Sequence, residues 1–241
     1  MSKVYADKIE PRDTGNYVTI GTSTNTVTLA GNDLRANTVK DSGGNTLWVS
    51  DGSGSLSSVN SGIGGAMKLL STQTVTDQAS VSFTSGIDST YKEYVFKFIN
   101  INPATDNVDL TFQASTDGGS SYGVTCTDTY FRIEHTEAGG GPYFGYHTGA
   151  DFAQSTSLIW LPIGVGNGSD ESTSGELHMF NLARTTYVKN WYSVGQEYFE
   201  SSAALQSFPA GYFNTTTAIN AIQFKMSSGN LDGKIKMYGV L

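Results

Sequence analysis

Apolar and polar residues alternate along most of this chain, and the period is that of strands. Between Tyr91 and Ile101, Tyr94, Phe96 and Phe98 fall on one face and Val95, Lys97, Ile99 and Ile101 on the other. Val108, Leu110, Phe112 and Ala114 alternate in the same way with Asp109, Thr111 and Gln113. Successive side chains of a strand point to opposite faces, so both segments predict half-buried strands. Val75 to Phe83, Tyr130 to Ile133 and Leu158 to Ile163 predict three more, and Leu177 to Leu182 with Tyr187 to Val194 predict a hairpin. Ala218 to Met226 places Ala218, Ile222, Phe224 and Met226 on one face, and Lys234 to Leu241 turns Ile235 and Met237 inward. Ser115-Thr116-Asp117-Gly118-Gly119 reads as a hairpin-type turn. No window of a dozen residues carries a 3.6-residue stripe, and Ser202 to Phe208 predicts one helical turn. The expected fold class is all-β, with an antiparallel, jelly-roll-like β-sandwich over residues 63–241.

Residues 1–62 follow another pattern. Phe is absent before Phe83, and the apolar residues come as sparse triplets between turn formers: Val18-Thr19-Ile20, Val27-Thr28-Leu29 and Leu47-Trp48-Val49. Such triplets cannot build a core within one chain. Three chains about an axis would bury Val18, Ile20, Val27, Leu29, Leu47 and Val49 together, each side chain contributing about 1.5–3 kcal/mol. That predicts an extended N-terminal attachment arm or trimeric β-rich stalk over residues 1–62. A flexible polar arm is the competing expectation. The Gly- and Ser-rich residues 53–66 read as a hinge between the two parts.

Composition narrows the function. Charged residues make up 15% of the chain, below the usual ~25%, and aromatics 12%, which together argue against disorder. The 22 acidic and 14 basic residues give a net charge of −8. That balance disfavours nucleic acid and anionic membranes as partners. No apolar run is long enough for membrane insertion as a helix. The lone Cys126 precludes an intrachain disulfide and reads as a buried structural thiol. Residues 1–8 lack an apolar signal core, so a chain not exported by a cleaved signal peptide is expected.

The search for reactive chemistry predicts that the chain is not an enzyme and needs no cofactor. The Gly-x-Ser-x-Gly motif is absent, and Gly139-Gly140-Gly141-Pro142 lacks phosphate-loop spacing. His135 and His147 match no metal-ligand spacing, so no metal is expected, and His178 reads as a sheet-face residue. The Asp-rich turns at Asp106, Asp109, Asp117 and Asp170 suit calcium by composition, and turn formation by Asp, Asn and Gly is the reading preferred for them. The clearest binding signal is aromatic: Tyr143, Phe144, Tyr146 and His147 cluster between glycines, and Trp191 follows Asn190. Such rings stack on sugar faces, and these five are the candidate glycan contacts. Filling a sandwich core or a subunit interface is the commoner use of such rings and the preferred reading of them.

Several segments resemble a known family. Ala6-Asp7-Lys8-Ile9-Glu10-Pro11-Arg12, Tyr17-Val18-Thr19-Ile20-Gly21 and Thr26-Val27-Thr28-Leu29-Ala30-Gly31 resemble the N-terminal region of tail-fibre and virion structural proteins of tailed bacteriophages, those of marine phages and cyanophages above all. Leu231-Asp232-Gly233-Lys234-Ile235-Lys236-Met237-Tyr238-Gly239-Val240 resembles the final strand of their β-sandwich domains. Lys68-Leu69-Leu70, Ser82 to Ile87, Tyr94 to Asn100 and Thr116 to Tyr122 fit the same domain type. The resemblance implies a homotrimeric tail fibre or spike in the virion, assembled in the host cytoplasm. Residues 1–62 would then bind other virion proteins of tail or capsid, and the sandwich would face outward towards a host cell-surface glycan. Two alternatives stand beside it: a capsid decoration or head-fibre protein that binds no receptor, and a stand-alone carbohydrate-binding module.

Overall fold

The computed structural model describes residues 36–53, 55–59, 66–140 and 142–240. Val18, Ile20, Val27 and Leu29 of the expected stalk lie outside them. The chain divides into two units, Met1–Ile63 and Gly64–Leu241. Among the described residues every regular element is a strand.

In the first unit β1 (Thr38–Lys40), β2 (Thr46–Ser50) and β3 (Leu56–Val59) form an antiparallel sheet in chain order. Aspartates close both turns. Asp41 Oδ1 accepts the N–H groups of Gly43 and Asn45, and Asp51 Oδ1 those of Ser53 and Ser55. This is the Asx-turn chemistry that makes Asp a turn former. Leu47 and Val49 are half-buried in β2.

The second unit carries β4 (Met67–Gln78), β5 (Val81–Phe83), β6 (Glu93–Pro103), β7 (Leu110–Ser115), β8 (Cys126–Thr136), β9 (Tyr143–Tyr146), β10 (Ile159–Trp160), β11 (Thr173–Phe180), β12 (Lys189–Phe199), β13 (Ala203–Phe213), β14 (Ala221–Met226) and β15 (Leu231–Val240). They form two antiparallel sheets. One has eight strands in the order β4-β15-β6-β11-β12-β13-β8-β9, the other four in the order β10-β7-β14-β5. Alternation drives their association: each sheet turns one apolar face inward, and the two faces meet as a sandwich.

The core between them is aromatic. Phe112 of β7 packs edge-on against Trp191 of β12 at 5.0 Å and Phe213 of β13 at 5.9 Å. Phe224 of β14 meets Phe96 of β6 at 5.3 Å, and Phe83 of β5 meets Phe96 at the same distance. A smaller cluster joins Tyr130, Ala150, Ile163 and Leu205, with Trp160 and Phe199 against it.

Four expectations are corrected. Ser202 to Phe208 is not a helical turn: Ser202 sits in a tight turn at φ 60° and Ala203 opens β13. The strong pairing available on both sides of β13 outweighs local propensity. Val75 to Phe83 is not one strand, since β4 and β5 belong to different sheets. The turn at Ser115–Gly119 does not close a hairpin, because it leads from the four-stranded sheet to β8 of the other. Ile101 faces the core with Tyr94, Phe96 and Phe98, not away with Lys97 and Ile99.

The last correction has a local cause. Asn100 adopts φ 50°, and the register slips on both sides of it, between Thr173 and Gly175 on β11 and between Asp232 and Lys234 on β15. A β-bulge adds one residue and so reverses the parity of everything beyond it. Gly233 lies opposite at φ 132°, where a Cβ would fall 2.6 Å from the Asn100 carbonyl oxygen. Only glycine fits there.

Phe112→Ala is expected to destabilise the protein by about 3–5 kcal/mol, because it opens a cavity among the rings of Trp191, Phe213 and Phe224. For a domain of this size that lowers the melting temperature by about 10 °C in a calorimetric scan. Removing Tyr238 to Leu241 takes away ladder positions that β15 shares with both β4 and β6. A lower melting temperature is expected, and an unchanged one would show that the last strand is not part of the core.

Candidate functional site

The two sheets are unequal, and the eight-stranded one has a second face. On β8, Tyr130 is buried while Phe131 and Ile133 point to that outer face, 38% and 40% exposed. Phe208 of β13 lies opposite Phe131 in register, and the two rings stack in parallel at 4.7 Å. Phe144 of β9 lies opposite Ile133 and touches Phe131 edge-on at 5.8 Å. Phe144 is 71% exposed, and Tyr146, opposite Phe131, is 49% exposed. An apolar surface therefore crosses three neighbouring strands and ends at the open edge of the sheet.

The sequence-predicted contacts divide. Phe144 and Tyr146 belong to this surface, and the Tyr146 hydroxyl donates to Asp151 Oδ2 at 2.8 Å, which raises its pKa. Tyr143 alternates to the other side of β9, where the Arg132 guanidinium lies 5.5 Å from its ring and 5.8 Å from that of Phe199. His147 packs edge-on against Tyr130 at 5.8 Å, and burial followed by the Arg132 charge lowers its pKa. Trp191 is not brought to the surface at all: it is 2% exposed and packs on Phe112. Its position on β12 has inward parity, which aligns it with Ser193 and Glu197. Leu47 and Val49 belong to the first unit.

Other candidates fall into place as turn and core chemistry. Asp117 accepts hydrogen bonds from Ser115 Oγ and from the amide and hydroxyl of Ser121, and these hold its carboxyl far below the ordinary carboxylate range. Cys126 is buried, and burial with the Asp128 carboxylate pushes its thiol up to about 12. A thiol in that state is a poor nucleophile. His135 shares the outward parity of Phe131 and Ile133, whereas His147 faces Tyr130 on the inner side. Among the described residues no group of three or more His, Cys, Asp or Glu is placed to hold a metal.

Two polar clusters were not visible in the sequence. On the outer face, His178 Nδ1 lies 2.6 Å from Glu93 Oε1, and its Nε2 lies 3.1 Å from Glu176 Oε1, off the line a hydrogen bond needs. The imidazole stacks parallel on Tyr192 at 4.6 Å. Inside the sandwich, Glu197 is fully buried, and its carboxyl accepts from Ser207 Oγ and weakly from the Ile163 amide. Ser207 Oγ also meets the Tyr130 hydroxyl, which donates to the Leu161 carbonyl or to Ser207. Burial drives the Glu197 pKa well up, so the group is held as a neutral acid.

This burial has a pH signature. In the unfolded chain Glu197 ionises near 4.5, while in the folded chain it keeps its proton to a much higher pH. The folded state therefore binds more protons between those values, and stability falls as pH rises through that window. Glu197→Gln, which keeps the shape without the proton, is expected to flatten the decline in urea-unfolding free energy between pH 5 and pH 9. Equal slopes for the two proteins would show that Glu197 is ionised inside the fold. No protein-family model, curated protein or solved structure matches the chain, so the reading of its site rests on geometry and residue chemistry.

Proposed function

We propose that the chain is a structural protein of a phage virion, a homotrimeric tail fibre or spike joined to other virion proteins through residues 1–62. Its β-sandwich faces outward and recognises a host cell-surface glycan. The observation that carries this reading is the ring surface of Phe208, Phe131, Phe144 and Tyr146 across β13, β8 and β9. Exposed apolar patches of this kind mark interaction sites. Aromatic faces suit the C–H faces of sugars, and the acidic balance of the chain disfavours polyanions. The resemblance of both ends of the chain to phage appendage proteins supplies the setting.

A second reading draws on the same rings. Phe131, Phe144 and Phe208 carry no polar group, which also suits a contact between subunits of a capsid decoration or head-fibre protein. Light scattering on the intact chain separates the two. A mass near three times 25.7 kDa is expected. With Phe131→Ser and Phe144→Ser together, the trimer mass persists if the rings face a glycan and drops if they face another subunit. A monomeric unmodified chain would overturn the trimeric stalk.

A further inference from the structure

We propose that Asn167 is a self-modifying site, where the chain converts the side-chain carboxamide to a carboxyl group through a cyclic imide, with Glu171 as the general base. Asn167 stands exposed in the connection between β10 and β11, and Gly168 follows it. No other asparagine of the chain precedes a glycine. Glycine has no side chain to crowd its own nitrogen and the widest backbone freedom, so its amide turns most easily onto the preceding carboxamide.

The loop is built around a carboxylate. Glu171 Oε2 accepts the Gly168 N–H at 2.7 Å. That is inside the ~2.6–3.2 Å reach a general base needs. The Glu171 side chain folds back into the loop: a Cβ on Gly168 would lie 2.8 Å from Glu171 Cδ, and one on Gly166 would collide with Glu171 Oε2. The backbone around it is tied. Asn102 Nδ2, on β6, donates to the Gly168 carbonyl at 3.0 Å and to the Glu171 carbonyl at 2.7 Å, and the Glu171 amide donates to the Gly168 carbonyl at 3.0 Å. Base and attacking nitrogen are thus held together before any reaction, an orientation the unfolded chain lacks. The carboxamide under attack is held loosely, since its Nδ2 donates to the Ala104 carbonyl at 3.4 Å.

The nitrogen of Gly168 attacks Cγ of Asn167 while its proton passes to Glu171 Oε2. The new N–Cγ bond closes the imide as the Cγ–Nδ2 bond breaks. Glu171 returns the proton to Nδ2, which leaves as ammonia. Water then opens the imide at either carbonyl. One opening leaves aspartate at position 167, and the other leaves isoaspartate, whose backbone runs through the former side-chain carbonyl. The sum is one amide and one water converted to one carboxyl group and one ammonia. Either product places a new negative charge beside Asp106, whose Oδ1 accepts the Asn167 amide at 3.2 Å. Isoaspartate also lengthens the connection by one backbone atom, against the ties that Asn102 makes.

The test is peptide mapping by mass spectrometry on the intact chain kept at neutral pH and sampled as it ages. Asn167 is expected to show the mass gain of an amide-to-acid conversion, with isoaspartate among the products. Asn214 is the internal reference: it is exposed, and the amide after it, Thr215 N–H, donates to the Phe213 carbonyl. Asn214 should keep its carboxamide. Glu171→Gln still accepts the Gly168 N–H through its side-chain carbonyl. It should slow the loss at Asn167 about tenfold, short of the ~100-fold a positioned base can supply, because hydroxide remains a competing base. An equal or faster loss in Glu171→Gln would overturn the general base. If that variant fails to fold, the unmodified chain in urea decides: loss at Asn167 is expected to be slower there than in the folded chain. An equal or faster loss in urea would show that Glu171 restrains the Gly168 amide instead of activating it. An Asn167 that ages no faster than Asn214 would overturn the site itself.

Discussion

The contact between the two sheets is made by rings, and Phe112 is where they converge. It reaches Trp191 and Phe213 on the larger sheet and Phe224 beside it on the smaller one. Rings bury more area per residue than any other side chain, and their edge-to-face packing fixes orientation as well as distance. Two of the four strands on that side, β5 and β10, have only three and two residues. Such short strands are held by what they pack against more than by their own ladders. The neutral Glu197 is buried beside this lattice with Tyr130 and Ser207; its Oε1 accepts from Ser207, which also meets the Tyr130 hydroxyl, while its Oε2 has no partner among the described residues.

Unequal sheets have an unavoidable result. Four strands can cover one face of eight, and the opposite face is left to solvent or to a partner. Along β8 and β13 both parities carry apolar residues, so Tyr130 and Leu205 fill the inside while Phe131 and Phe208 remain outside. This is how one molecule has both a dense core and an apolar exterior surface.

Much of the architecture was legible because alternation is local. Alternation groups Phe96 with Phe98 and Ile222 with Phe224 on shared faces and turns Ile235 and Met237 inward, and all six lie in the core. The all-β class follows from the absence of any helical stripe. What alternation cannot report is where its phase changes. Nothing in Asn100 announces a bulge, yet it moves Ile101 from one face to the other. The turn at Ser115–Gly119 has hairpin composition whether its strands pair or part, and only the sheet order decides. The aromatic cluster at 143–147 was visible as composition. Its split between two faces, and the buried place of Trp191, depend on strand parity and on which face has a cover.

β15 lies between β4 and β6, and among the described residues it is the only ladder partner β4 has. β4 is the first strand of its unit to be synthesised and β15 the last. During translation β4 must therefore wait, with Leu69 and its backbone groups unpaired, until the residues from Leu231 onward have emerged. Pairing of such high sequence separation is slow, and a waiting strand is open to other chains. Polysomes carrying several nascent copies would hold several such strands close together. Thr72, Thr74, Thr76 and Lys68, polar residues spaced along β4, would then serve as gatekeepers for a strand whose proper neighbour has yet to be made.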